Sequence, residues 1–564
     1  MRQSMLILFV AAVVVLAGGC AAQKTVKPEK VSFPSIDAGA VLGHIKVLAS
    51  DQYEGRAPGT KGEELTTTYI IDQFKQVGLK PGNTDGSYIQ KVPLVGITAD
   101  PNVTLVFKKG SKEQKLRFKD DFVAWTKRVT EIAQLDNSEM VFVGYAVQAP
   151  EFNWDDYKGV DLKGKTMVVL VGDPPVPDPA DPSKLDPKVF GGKAMTYYGR
   201  WTYKYEMGAK MGAAGVLIVH ETEPAGYPFS VVQSKVTEQF DLVAPDKNMG
   251  RSAVEGWITL DQARKLFTLA GKDFDSLKKS AVSREFKPVP LGVNASITLR
   301  STLRTIDSRN VVGKLEGSDP NLKNEYVIFT SHWDHFGIGP EVNGSKIYHG
   351  AVDNASGVGG LIEIARAFTK LAEPPRRSLL FLSVTAEEQG LLGSEYYAQN
   401  PIYPLAKTLA VVNMDALNVY GKTKDLTITG PGNSDLDDYA SQVAAEQERV
   451  VKPDPMPEKG SYYRSDHFPF ARQGVPALAS GGGIDYIGKP PEYGKQVRNN
   501  YTTNDYHKPS DVIKPDWDLS GAVQDLQYYW MVGYRVAQAE KYPEWKPGAE
   551  FKAKRDEQLK ASGK

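Results

Sequence analysis

Leu379–Thr385 reads LLFLSVT and runs straight into Ala386-Glu387-Glu388-Gln389-Gly390. A short, nearly unbroken apolar run bounded by turn residues fits a strand buried on both faces, since a half-exposed strand would alternate. Two further runs repeat the pattern: Tyr326–Thr330 (YVIFT) ahead of Ser331-His332, and Leu409–Met414 (LAVVNM) ahead of Asp415. Between the first two lies Val358–Leu371, which reads as a helix, opened by Gly357 and closed before Pro374-Pro375. Leu436–Gln447 is also helical, and Val475–Ala479 is a further short strand. Such alternation predicts an α/β fold with a mixed, mostly parallel central sheet covered by helices on both faces. Ligands gather outside the carboxyl ends of strands in open sheets of this kind. Three strands here deliver a histidine, a pair of glutamates and an aspartate to that edge.

Five metal-binding side chains follow one another in distinctive segments: His332 in SHWDHFG, Asp353 in GAVDNASGVGG, Glu388 in TAEEQGLLGS, Asp415 in VVNMDALN and His507 in NDYHKPSD. Two imidazoles and three carboxylates suffice for a pair of divalent ions if one carboxylate bridges them. Glu387 is left over as a proton carrier, because neighbouring side chains in an extended segment point apart. The chain is readable as a hydrolase.

These motifs, in this order, resemble the M28 family of co-catalytic zinc peptidases, which are mainly aminopeptidases. The resemblance runs from about residue 36 to 130 and again from about 295 to 540. It implies that Asp353 bridges two ions, with His332 and Asp415 completing one ligand set and Glu388 and His507 the other. The ions implied are two Zn²⁺ per chain, although Mn²⁺ or Co²⁺ also suits such donors. It makes Glu387 the base that moves a proton from water to the leaving amine, and Tyr506 a hydrogen-bond donor to the tetrahedral intermediate. Asp334 is expected to accept the N–H of the liganding imidazole, and Asp511 to play a similar supporting part near His507. YYRSDHFPF also matches a family pattern, with Asp466 and His467 shaping the cleft wall. His335 and His349 are pocket-lining candidates outside the ligand positions, and His44 and His220 are read as structural. The implied activity is removal of the N-terminal residue from peptides with a free N-terminus. Alternatives within the fold are a carboxypeptidase or a single-zinc glutaminyl cyclase. A metal-free receptor-like binding protein predicts missing ligands, and all five are present.

Outside the motifs, the 564 residues carry 68 basic and 68 acidic side chains, and the basic ones form no single stripe, so no nucleic-acid partner is expected. The only cysteine, Cys20, follows MRQSMLILFVAAVVVLAGG. Arg2, a short apolar stretch from Leu6 to Leu16, and the small residues Ala17, Gly18 and Gly19 form a signal-peptide pattern. The segment resembles a bacterial lipoprotein signal with lipidation at Cys20. The expected location is therefore the cell envelope, lipid-anchored and facing the periplasm or the exterior, with the anchor as the only membrane contact. A mature chain without a free thiol has no thiolate metal site and no cysteine nucleophile.

The chain is too long for one ordinary domain. The expected layout is a signal peptide over 1–20, a tether over 21–35, a first catalytic segment over 36–130, an insertion over 131–290, a second catalytic segment over 291–545 and a flexible tail over 546–564. The insertion, with YEMGAKMGAAGVLIVHE as helix, glycine turn and buried strand, resembles the mainly-β protease-associated (PA) domain found in several peptidase families.

Overall fold

Ser378–Val384 lies at the centre of the molecule with every residue buried. The structure, a computed structural model, describes residues 31–563 apart from 235–237 and 431. The expected signal peptide, with Cys20, lies outside the described residues, and 34–564 make one compact unit. Among the described residues no helix is long and apolar enough to cross a membrane.

The elements that build the site are, in chain order, α1 (Ala38–Leu48), α2 (Lys61–Gln76), β1 (Ile89–Ala99), β2 (Val289–Leu315), β3 (Tyr326–His332), α3 (Gly357–Thr369), β4 (Ser378–Val384), α4 (Leu392–Gln399), β5 (Thr408–Asn413), α5 (His467–Arg472), β6 (Ala477–Gly482), α6 (Ser520–Gln538) and α7 (Lys552–Ala561). Strands β4, β3, β5 and β6 are neighbours in that order and all parallel. Strand β2 is antiparallel to β4, β1 is antiparallel to β2, and Asp425–Ile428 runs antiparallel to β6. The sheet is thus mixed with a parallel centre, as the apolar runs predict.

Each central strand is coated on both faces, and this is why its sequence does not alternate. On one side the Phe329 and Phe381 rings stack at 5.6 Å, and Phe368 of α3 packs against both them and Trp530 of α6. On the other, Ile328, Leu380, Leu382 and Val411 share a core with Tyr397 of α4 and with Phe468 and Phe470 of α5. Helix α1 starts where the Asp37 carboxylate caps the Gly39 N–H, and α2 where the Thr60 hydroxyl caps Gly62.

The boundaries of the insertion differ from the expectation. Thr104–Lys109, Lys112–Arg117 and Phe122–Trp125 belong to a second sheet, not to the first catalytic segment. That sheet continues through Ile132–Phe142, Thr166–Leu170, Gly215–His220 and Val254–Thr259, the last four mutually parallel in sequence of pairing. It carries helices at Trp201–Lys210 and Leu260–Ala270, so it is strand-rich but mixed. Strand β2 joins the two sheets: residues 289–300 pair with 132–142, and residues 301–311 pair with β1. The expected loose tail also differs. Residues 552–561 are helical, and Arg555 is buried with its guanidinium donating to the carbonyls of Leu405 and Thr408.

Candidate metal centre

The carboxyl ends of β3, β4 and β5 meet at one edge of the sheet. His332 is the last residue of β3, Glu387 and Glu388 follow β4, and Asp415 follows β5. Asp353 sits in the turn that opens α3, and His507 follows the helix Tyr493–Asn504 with its backbone in the left-handed region (φ 58°). The sheet therefore gathers side chains from positions 332 to 507 at one edge, with a hairpin (Gly337–Val342 and Ser345–Tyr348) between His332 and the turn of Asp353.

The distances sort these groups into two sets that share one member. His332 Nε2 lies 3.2 Å from Asp353 Oδ1 and 3.3 Å from Asp415 Oδ1. His507 Nε2 lies 3.3 Å from Asp353 Oδ2 and 3.2 Å from Glu388 Oε2. Each oxygen of Asp353 thus faces a different histidine. Glu387 stands apart, with its nearer oxygen 4.0 Å from His332 Nε2. Burial pushes the Glu387 carboxyl well above its ordinary range; His332 opposes this, and Asp415 and Glu388 reinforce it. Burial alone would lower the His332 imidazole, but Glu387, Asp334, Asp353 and Asp415 outweigh it and hold it well above its usual value.

The supporting groups act mainly through the backbone. Asp334 is fully buried, and its carboxylate accepts the N–H groups of Glu387 (3.0 Å) and Glu388 (3.4 Å). Its carboxylate is 3.7 Å from His332 Nδ1, whereas its main-chain carbonyl is 3.2 Å away. The ring nitrogen is thus nearer the carbonyl than the carboxylate, and both of these Asp334 oxygens face the imidazole's Nδ1 side. Asp511 likewise accepts the N–H groups of Val352 and Asp353, each at 3.1 Å. It secures the Asp353 turn, not the imidazole of His507. Gly350 must be glycine, because a Cβ there would come within 2.3 Å of the Asp353 carbonyl and 2.7 Å of the His335 ring. Tyr506 is exposed at the rim, its ring stacked on His507 with 3.7 Å between centroids.

Three further residues belong to the constellation. His335 Nδ1 is 2.7 Å from Glu388 Oε1, so the histidine set aside as a pocket-lining candidate touches a predicted ligand. Ser465 donates to Asp415 Oδ2 at 2.5 Å and accepts from Asn413 at 2.6 Å. Asn354 donates to Ser331 and the Met414 carbonyl and accepts from Gly357 and Ala416, tying the Asp353 turn to the end of β5. All three lie inside the quoted motifs, and motif membership was the available signal. Of the others, Asp466 accepts from Ser394 at 2.6 Å, and His467 is buried beside Tyr462. His349 faces Asp51, His44 joins Tyr69 and Glu363, and His220 packs among Tyr227, Phe229 and Trp257.

The donor set fits divalent cations. Among the described residues no Lys or Arg forms an ion pair with Asp353, Glu387, Glu388 or Asp415, whose ion-pair partners are imidazoles. Partly or fully buried carboxylates in this number require compensating charge. Carboxylate oxygens with imidazole nitrogens suit Zn²⁺, Mn²⁺ or Co²⁺. His332, Asp353 and Asp415 form one group able to hold an ion, and His335, Asp353 and Glu388 form another.

Residues 310–531 match the model of peptidase family M28. The matched region runs from the last residues of β2 into α6 and contains every residue of the two donor sets. The chain is 30% identical to aminopeptidase NAALADL1 of Mus musculus over 174 residues, 28% of this chain and 22% of that protein, so it spans less than a quarter of that relative. It is 25% identical over 470 residues to a probable leucine aminopeptidase 2 of Aspergillus oryzae, covering 81% of this chain and 75% of the relative. Among solved structures it is similar to an aminopeptidase from Aneurinibacillus sp. strain AM-1, with 19% identity, a TM-score of 0.49, and coverage of 91% of this chain and 95% of that one.

Proposed function

We propose that the chain is an exported metallo-aminopeptidase that removes the N-terminal residue from peptides. The observation that carries this reading is the shared carboxylate of Asp353, whose two oxygens each face a histidine–carboxylate pair. His332, Asp353 and Asp415 would hold one Zn²⁺, and Asp353, Glu388 and His507 a second. When bound, the two ions supply Lewis acidity and a hydroxide nucleophile at neutral pH.

The protein's own groups do the rest. Glu387, free of both donor sets, takes the proton of the attacking water and hands it to the leaving amine. Asp334 fixes the main chain at Glu387 and Glu388, so one glutamate faces the donor sets while the other faces the cleft. The exposed Tyr506 hydroxyl is available to donate to the tetrahedral intermediate. Removal of a single N-terminal residue fits the names of the aminopeptidases to which the chain is similar, and a free α-amine finds acidic partners around the cluster. The strand-rich insertion is read as a PA domain beside the cleft, and Cys20 as the lipidated anchor in the cell envelope.

The test uses a panel of single-residue amides with and without N-terminal blocking, on protein reconstituted with Zn²⁺. Glu387→Gln should keep its zinc and lose about 10²–10⁴-fold in kcat. Full turnover by that variant would remove the proposed base. Preference for N-blocked peptides with a free C-terminus would point to a carboxypeptidase instead.

A further inference from the structure

Arg56 stands outside the matched M28 region, in the turn Asp51–Arg56 that leads from α1 to α2. Its side chain is completely buried. Among the described residues the guanidinium pairs with no carboxylate. Instead Nε donates to the Trp333 carbonyl (2.9 Å), Nη1 to the carbonyls of Leu48 (2.8 Å) and His349 (2.6 Å), and Nη2 to that of Gly350 (2.9 Å). Trp333 follows His332 directly, and His349 and Gly350 lead into the turn of Asp353. One planar fork therefore gathers the two loops that supply His332 and the shared Asp353. The Arg56 carbonyl in turn meets the His335 N–H at 3.4 Å.

The surrounding turn is shaped for this placement. Glu54, Gly55 and Arg56 are all in the left-handed region, at φ 50°, 67° and 55°. Such a conformation is unfavourable for Arg and persists only where its surroundings enforce it. A Cβ on Gly55 would come within 2.4 Å of the Tyr348 carbonyl and 2.7 Å of the Gly337 carbonyl, so the turn is pressed against the hairpin between those loops. The charge matters as well. Burial lowers Arg56 to about 10, opposed by Asp511, Asp334, Asp353 and Glu388, so it stays cationic at neutral pH beneath the acidic cluster.

We infer that Arg56 is a positioning residue of the metal centre: through main-chain carbonyls it sets the spacing between the loop of His332 and the turn of Asp353. The inference rests on the proposed metallopeptidase reading. Lysine retains the charge but presents no fork, so Arg56→Lys separates geometry from electrostatics.

The test compares wild-type, Arg56→Lys and Gly55→Ala proteins by zinc retained in competition with a chelator, by kcat and KM, and by thermal midpoint. Arg56→Lys should bind zinc about 10–100-fold more weakly, the range seen when groups supporting metal ligands are lost. Its kcat should fall at least about 10-fold while KM stays within about 3-fold. Gly55→Ala, which displaces the turn with Arg56 intact, should weaken zinc binding in the same direction, and decides the matter if Arg56→Lys does not fold. A folded variant with lower thermal stability but wild-type zinc affinity and kcat would assign Arg56 a purely structural role and overturn the inference. The wild-type protein is measured first; if it binds no zinc and hydrolyses nothing, the proposed function fails rather than the role of Arg56.

Discussion

Asp334 and Asp511 illustrate how a buried carboxylate supports a site by holding main chain. Each accepts two successive N–H groups, at Glu387–Glu388 and at Val352–Asp353. Each therefore fixes the direction in which the neighbouring acid side chains leave the backbone. His467 is a different case, an imidazole whose burial lowers it to about 3. An unfolded chain takes up this proton near pH 6.5, whereas the folded chain refuses it. Its contribution to stability is complete above about pH 6.5 and declines by about 1.4 kcal/mol per pH unit as the pH falls toward 3. Denaturant titrations at pH 7, 6 and 5 should give a shallower loss for His467→Leu than for wild type, and parallel losses would contradict this. At this scale the sequence was legible in residue types but not in partners. The HWDH segment carries both His332 and His335, yet only the fold decides that His335 turns to Glu388 at 2.7 Å.

Helix α6 lies so close to β3 that a Cβ on Gly533 would approach the Phe329 ring to 2.1 Å. The helix has no room for a methyl there unless it moves away from the strand that ends in His332. Gly533→Ala should therefore cost about 1–3 kcal/mol in thermal or denaturant unfolding, despite alanine's better helix propensity. A stabilised variant would mean that the helix and strand are not in close contact. The parallel strands were readable because burial on both faces removes alternation, leaving LLFLSVT, YVIFT and LAVVNM as plain signals. Strand β2 was not, since it passes from one sheet to the other over 27 residues. No glycine–proline break marks the crossing, because the backbone stays extended and only its partners change. The expected insertion boundary at residue 131 therefore falls inside the second sheet, whose polar edge hairpin at 104–117 looks no different from catalytic-segment strands.

The insertion and the catalytic sheet meet at a seam beside the site. Arg472, at the end of α5, donates to Glu206 of the insertion at 2.8 Å and to the Tyr197 hydroxyl at 3.2 Å, and also pairs with Glu395 of α4. The Tyr197 ring packs on Phe468 at 5.0 Å between centroids. Helices α4 and α5 follow the loops bearing Glu388 and Ser465, so the seam lies directly behind site residues. Such long-range pairings carry no sequence periodicity and were not legible beforehand. The order of the five ligand-type residues was, because each rides on a short motif at a strand or helix end. Zinc content per chain, measured by elemental analysis after reconstitution and removal of loosely bound ions, tests the whole account most directly. Wild-type protein should hold two equivalents, and Asp353→Ala should hold fewer than one, because both donor sets lose a shared member. A fully active wild-type enzyme with one equivalent or none, or an Asp353→Ala protein that still binds two, would contradict it.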